Sequence, residues 1–189
     1  KEVALQMEKP KIANEFEKIS PVCQVQEDDG YKITYLGAVT GKKLSENDLE
    51  SDENKTYYVV AVQQKDGGEM SFTDGPRLVV TPFVRGYAPW HFNFILSGGV
   101  TAESQIVNKV RYYLVESESV EIYAAHGVYL GVSEGAPNSD QYNFDKKTGE
   151  ISINKKYKGI NVLFELSIDP SKADEKQVKK NLKAAGIEE

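Results

Sequence analysis

A chain of 189 residues, 40% apolar and carrying eleven Tyr and seven Phe, is long enough for one large domain or two of about a hundred residues. It is too rich in aromatics for a disordered polymer. Its 23 basic and 29 acidic side chains leave a formal charge of −6, which argues against general nucleic-acid or anionic-membrane binding, because both need a concentrated basic surface.

In chain order, Val3, Leu5 and Met7 alternate as in a short strand, and Ile12, Phe16 and Ile19 follow helical spacing between Pro10 and Pro21. Residues 1–20 are read as a lead-in segment. Cys23 is the only cysteine, so there is no intramolecular disulfide. Flanked by Val22 and Val25 and followed by Glu27, Asp28 and Asp29, it lacks the electropositive surround of a reactive thiol and is expected as a small core residue. Tyr31 to Leu36 reads as a strand. The polar stretch from Gly41 to Lys55, with Glu46, Asp48, Glu50, Asp52 and Glu53, lacks the Gly-punctuated spacing of a calcium loop and is read as a solvated surface loop.

Thr56 to Thr81 holds two β-rich runs around Lys65-Asp66-Gly67-Gly68, which predicts a β-hairpin with a strand over Phe72 to Thr81. Beyond Pro82, Phe92 to Leu96 is strand-like and ends at Gly98-Gly99, where a second β unit is expected. Further strands are expected over Val107 to Val115, Val120 to Ala125 and Gly127 to Val132. The runs Gln141 to Phe144 and Glu150 to Ile153 flank Asp145 to Gly149, which suits a type I turn with a glycine bulge and needs no metal. Ile160 to Ile168 is the last strand. Asp169-Pro170-Ser171 then opens a terminal helix, with Asp174 in its first turn, an apolar stripe of Val178, Leu182 and Ala185, and Gly186 as its stop.

The run YKITYLGAVTGKK, the acidic loop and KTYYVVAVQQKDGGEMSFTDGPRLVVTP resemble the later strands of a fibronectin type III domain over residues 21–82. Thr56, Tyr58, Val60 and Val62 stand at that family's Thr-x-Tyr-x-Val positions, and Arg111-Tyr-Tyr-Leu-Val echoes them in the second half. The resemblance implies an extracytoplasmic, cell-surface or secreted module for adhesion or recognition. Such domains bind through loops or edge strands and carry no catalysis or cofactor.

Tests for chemistry are negative in sequence. Gly131-Val-Ser133-Glu-Gly135 matches the serine-hydrolase string, but a loop rather than a helix follows it, and both His91 and His126 precede the serine. Two histidines and one cysteine cannot assemble a structural zinc site of the usual composition. No Gly-rich phosphate loop stands at a strand-to-helix junction. The chain carries neither a signal h-region nor a membrane-length apolar run.

The segment that stands out is Tyr87-Ala-Pro-Trp90-His91-Phe92, with Tyr129 and Tyr142 as companions expected in exposed loops. Aromatic faces with polar tips suit a glycan or a protein partner. Set against this, lone tryptophans are mostly buried, which favours Trp90 and Phe92 entering the core or sealing a domain junction. The sequence therefore predicts an all-β protein of two β-sandwich units, immunoglobulin- or fibronectin-like, over residues 21–82 and 83–168, with a helix over 169–189. Its expected role is a non-catalytic module recognising a protein partner or, alternatively, a glycan through Tyr87, Trp90, His91, Tyr129 and Tyr142, with no metal.

Overall fold

The computed structural model describes residues 16, 22–41, 54–96 and 99–187. Of the expected acidic loop only Gly41, Asn54 and Lys55 are described, Lys55 as the first residue of a strand, and of the lead-in segment only Phe16. The described chain is predominantly antiparallel β. It forms two compact units. One joins the chain up to Arg77 with Thr101–Ser119, and the other joins Leu78–Val100 with Val120 onward.

The first unit is a five-stranded sheet in the order β1-β2-β3-β6-β5. Its strands are β1 (Gln24–Asp28), β2 (Tyr31–Thr40), β3 (Lys55–Gln64), β5 (Val100–Val107) and β6 (Val110–Glu118). β1 and β2 close across Asp29-Gly30, both with positive φ (41° and 80°), the geometry of a two-residue turn whose twist matches the strands. β2 pairs with β3, but its register slips between Tyr35 and Gly37. This bulge moves the downstream residues to the opposite face. Ile33 and Tyr35 thus share a face with Val60, Val62, Tyr113 and Val115, all buried. Val39 instead clusters with Tyr57 and Leu114, where Phe16 packs.

The two runs expected to form a hairpin around residues 65–68 do not pair. β3 lies between β2 and β6, whereas β4 (Leu78–Val84) pairs with β7 (Val128–Glu134) in the other unit. Residues 65–67 do reverse the chain, with Gly67 at φ 78°, but the chain that follows is turn and loop until Leu78. The strand expected from Phe72 is therefore shorter and later, and the first unit is built from two stretches of chain rather than from residues 21–82 alone.

The strand expected over Val107 to Val115 is interrupted by Asn108 and Lys109, which take φ 49° and 68° and form the tight turn of the β5–β6 hairpin. A lysine in left-handed backbone costs about 1 kcal/mol that glycine avoids. Lys109→Gly is therefore expected to stabilise the first unit by roughly 0.5–1 kcal/mol, measured as a raised urea midpoint at unchanged m-value. Cys23 is exposed rather than in the core. It precedes β1 with φ 48°, beside the exposed Val22.

The second unit holds a three-stranded sheet, β10-β7-β4, and a two-stranded hairpin, β8-β9. Here β8 is Tyr142–Phe144, β9 is Ile151–Ile153 and β10 is Asn161–Leu166. On one face of the larger sheet, Val80 and Val84 line up with Val128, Leu130, Val132, Val162, Phe164 and Leu166, all buried. The other face presents Thr81, Phe83, Tyr129, Gly131, Ser133, Asn161 and Leu163. The β8–β9 hairpin forms where the sequence placed it. The Asp145 amide donates to the Glu150 carbonyl, and Gly149, at φ 71°, donates back to the Asp145 carbonyl.

Two expected strands are absent. Glu121–Tyr123 is a 3-10 turn, and residues 92–96 are turns. In the latter, the buried Asn93 side chain competes with ladder pairing: its amide donates to the Pro89 carbonyl, and its oxygen accepts from the Ile95 and Leu96 amides.

The terminal helix starts later than expected. Asp169 caps only a 3-10 turn, Pro170–Lys172. Asp174, expected inside the first turn, is the N-cap of α1 (Glu175–Ala184), where its carboxylate accepts from the Gln177 amide at 3.0 Å. Val178 and Leu182 are buried as the stripe predicts, whereas Ala185 is exposed. Asp174→Ala is expected to cost about 1 kcal/mol, read as a lowered melting temperature of the second unit.

Candidate functional site

The sheet face occupied by Phe83 gathers five of the chain's aromatic side chains. Phe83 and Tyr142 meet edge to face, with ring centroids 5.0 Å apart at 76°, and with Ile151 they form a buried cluster. Trp90, Tyr129, Phe144, Ile153 and Leu163 pack around it and remain partly exposed. Strand periodicity explains the convergence. Tyr142 and Phe144 sit two apart on β8 and face the same side, and Phe83 and Tyr129 are cross-strand partners.

Local backbone geometry places Trp90. The Arg85 amide donates to Gly127 and the Gly86 amide to Gly149. A side chain at Gly149 would run into the Gly86 backbone at 2.8 Å, so this approach requires glycine. The Ala88 carbonyl then accepts from the His91 and Phe92 amides, closing a helical turn that carries Trp90.

Charged groups surround Tyr129. Burial pushes its phenol above the usual range, Arg85 opposes this, and Glu165 and Glu150 add to it. Three charged side chains therefore rim the aromatic cluster close to a hydroxyl that can donate or accept.

The five residues singled out in sequence separate here. Trp90 and Tyr129 are partly exposed members of this cluster, and Tyr129 lies on β7 rather than in a loop. Tyr142 is also on a strand and is 0% exposed. Its hydroxyl donates to the Val162 carbonyl at 3.4 Å, so it supports the face from beneath. His91 is exposed, its ring centroid 6.1 Å from that of Trp90 at an interplanar angle of 74°. Tyr87 belongs to a different chain of rings, against Phe92 and His126, which continues through Phe94 and Tyr123.

Sequence reading overlooked Phe144, Arg85, Glu150 and Glu165. Phe144 carried a usable signal, the i, i+2 spacing from Tyr142. The charges carried none, because strand pairing and the Gly86–Gly149 approach assemble them from distant positions.

Beneath one end of this face lies a buried polar network. Gln141 accepts from the Asn138 amide and donates to the Glu134 carbonyl and Tyr157, while Asn161 donates to the Gln141 and Asn154 carbonyls. These bonds satisfy buried amides and fix the hairpin on the sheet. Ser133, the serine of the hydrolase-like string, is 1% exposed within β7, and its hydroxyl donates to the Gly135 carbonyl. It is not presented on a turn as a nucleophile must be.

Among the described residues, no cluster of His, Cys, Asp and Glu is arranged to hold a metal ion, and no helix is long and apolar enough to cross a membrane. No protein-family model, curated protein or solved structure matches the chain.

Proposed function

We propose that the protein is a non-catalytic binding module acting outside the cytoplasm, which recognises a protein partner through the aromatic face of its second unit. The observation that carries this reading is the grouping of Trp90, Tyr129 and Phe144 with Ile153 and Leu163 as a partly exposed shell over a rigid buried cluster. Large aromatic anchors beside aliphatic groups, held on strands or, for Trp90, on a helical turn, and bordered by charge, are the composition of a protein-binding hot spot. The fibronectin-like run is divided between the units, with β2 and β3 in the first and β4 in the second, and the edge expected at Phe72 to Thr81 is a loop followed by β4.

A glycan is the second reading. Tyr129 stands among Arg85, Glu150 and Glu165, a hydrogen-bonding rim beside a ring on which a sugar can stack. A photo-crosslinking residue at position 144 of the full chain, used in the source cells, tests the first reading. One defined protein should be captured, and Trp90→Ala and Tyr129→Ala should each abolish capture while the variants keep a cooperative melting transition. No defined product, combined with a saturable blue shift of Trp90 emission on adding soluble glycans, would replace the first reading with the second.

A further inference from the structure

We infer that the first unit carries a separate recognition site, built on Arg111, for a peptide segment that presents a carboxylate beside an apolar side chain. The Arg111 guanidinium lies 4.9 Å from the ring centroid of Phe72 and 4.9 Å from that of Tyr113. Its Nε and Nη2 both donate to the Ser104 hydroxyl at 3.1 Å. Stacking and hydrogen bonding therefore fix both the plane of the fork and its rotation within that plane. Such a planar cation, held ahead of binding, loses little freedom when it takes an anion.

Among the described residues, the site has no negative partner. In a chain with 29 acidic against 23 basic side chains, no described carboxylate makes an ion pair with Arg111. The acid nearest Phe72 in sequence, Asp74, is engaged within its own loop, where it accepts from the Ser71 and Thr73 hydroxyls. Ser104 occupies the side edge of the fork. The end edge, formed by Nη1 and the second Nη2 hydrogen, keeps the two parallel N–H groups that match a carboxylate.

Phe72 completes the site. It is 56% exposed, although it is a large apolar side chain stacked on a cation. The loop that presents it is shaped by hydrogen bonds from the Thr73 and Asp74 amides to the Ser71 hydroxyl. A ligand carboxylate on the end edge of Arg111 would bring an adjacent apolar side chain onto the open face of Phe72. Charge and shape thus select an acidic, partly apolar peptide over a neutral one.

The test titrates the full, isotope-labelled chain with acetyl-Gly-Leu-Asp-Gly-amide, its Asn counterpart and free glucuronate, following the Arg111 Nε–H resonance. The expected result is a saturable shift with the Asp peptide and binding at least about tenfold weaker with the Asn peptide. Arg111→Lys, followed through the Thr73 and Asp74 backbone amides of the Phe72 loop because it has no guanidinium Nε–H, should lose that preference while retaining the fold, and Phe72→Ala, at an exposed position, should weaken the Asp peptide severalfold. No shift up to about 10 mM, well above the ~1 mM range of weak contacts, would overturn the inference. So would equal shifts from the Asp and Asn peptides, and so would saturation by glucuronate alone, which would assign the site to acidic sugars.

Discussion

Raising the pH from about 10 to about 12 is expected to unfold the first unit in a step whose steepness two buried phenols set. Burial holds the hydroxyls of Tyr35 and Tyr58 well above the usual tyrosine range. For Tyr58, hydrogen bonding to Ser117 opposes the shift only in part. In the unfolded chain both phenols ionise near 10. Below that pH both states stay protonated and the contribution is complete. Above it the unfolded state releases protons that the fold retains, so stability falls by about 1.4 kcal/mol per pH unit for each phenol, or ~2.7 for the pair. Two pH units then remove about 5 kcal/mol, as much as the whole stability of many domains. Circular dichroism against denaturant at stepped pH measures this slope, and Tyr35→Phe or Tyr58→Phe should each reduce it by about half. Phenolate absorbance from both residues near pH 10 in the folded protein would refute the account.

In the second unit, the largest effect is expected where Phe83 lies over Gly131. A methyl group at Gly131 would come within 2.2 Å of the Phe83 ring, and that ring is fully buried and set edge-on against Tyr142. Gly131→Ala gains some backbone entropy but overpacks the cluster, with a net cost of about 1–3 kcal/mol. Phe83→Ala leaves a cavity beneath Trp90 and Tyr129 and is expected to cost about 3–5 kcal/mol. In the double variant Gly131→Ala/Phe83→Leu, the smaller side chain should relieve the clash, so the two changes should cost less than the sum of the single variants. Chemical denaturation followed by Trp90 emission reports these variants and Phe83→Leu alone, which completes the cycle, because Trp90 packs on this cluster. Additive costs would show that the ring moves aside freely.

The particular residues show how far the fold can be read from the chain. The Asp145–Gly149 turn, the last strand and the buried stripe of Val178 and Leu182 rest on local chemistry, a bulge glycine and clean periodicity, and the structure has them. Asp29-Gly30 was an equally local signal for the β1–β2 hairpin. Residues 65–68 misled because two β-rich runs beside a turn look alike whether or not they pair, and pairing is decided by partners elsewhere. β3 takes β6, about fifty residues away, and β4 takes β7. Asn108-Lys109 hid a turn because lysine rarely adopts positive φ. Of the candidate site, Trp90 and Tyr129 were legible as aromatics with polar tips. That Tyr142 lies beneath the face was not, since its burial depends on hairpin β8–β9 folding over a sheet whose strands are spread along the chain.

The interleaving of the two units has a consequence for synthesis. β3 is complete at Gln64, but β6, which must lie beside it, ends only at Glu118, 54 residues later (118 − 64). At the usual pace of translation, about 5–20 residues per second, one edge of β3 waits roughly 3–11 s for its neighbour. Until then the nascent chain presents Tyr57, Tyr58, Val60 and Val62 along a strand paired only with β2, and its open edge is the kind that recruits other chains. The first unit therefore closes late on the ribosome, after β4 of the second has already emerged, and one edge of β3 stays open through the delay.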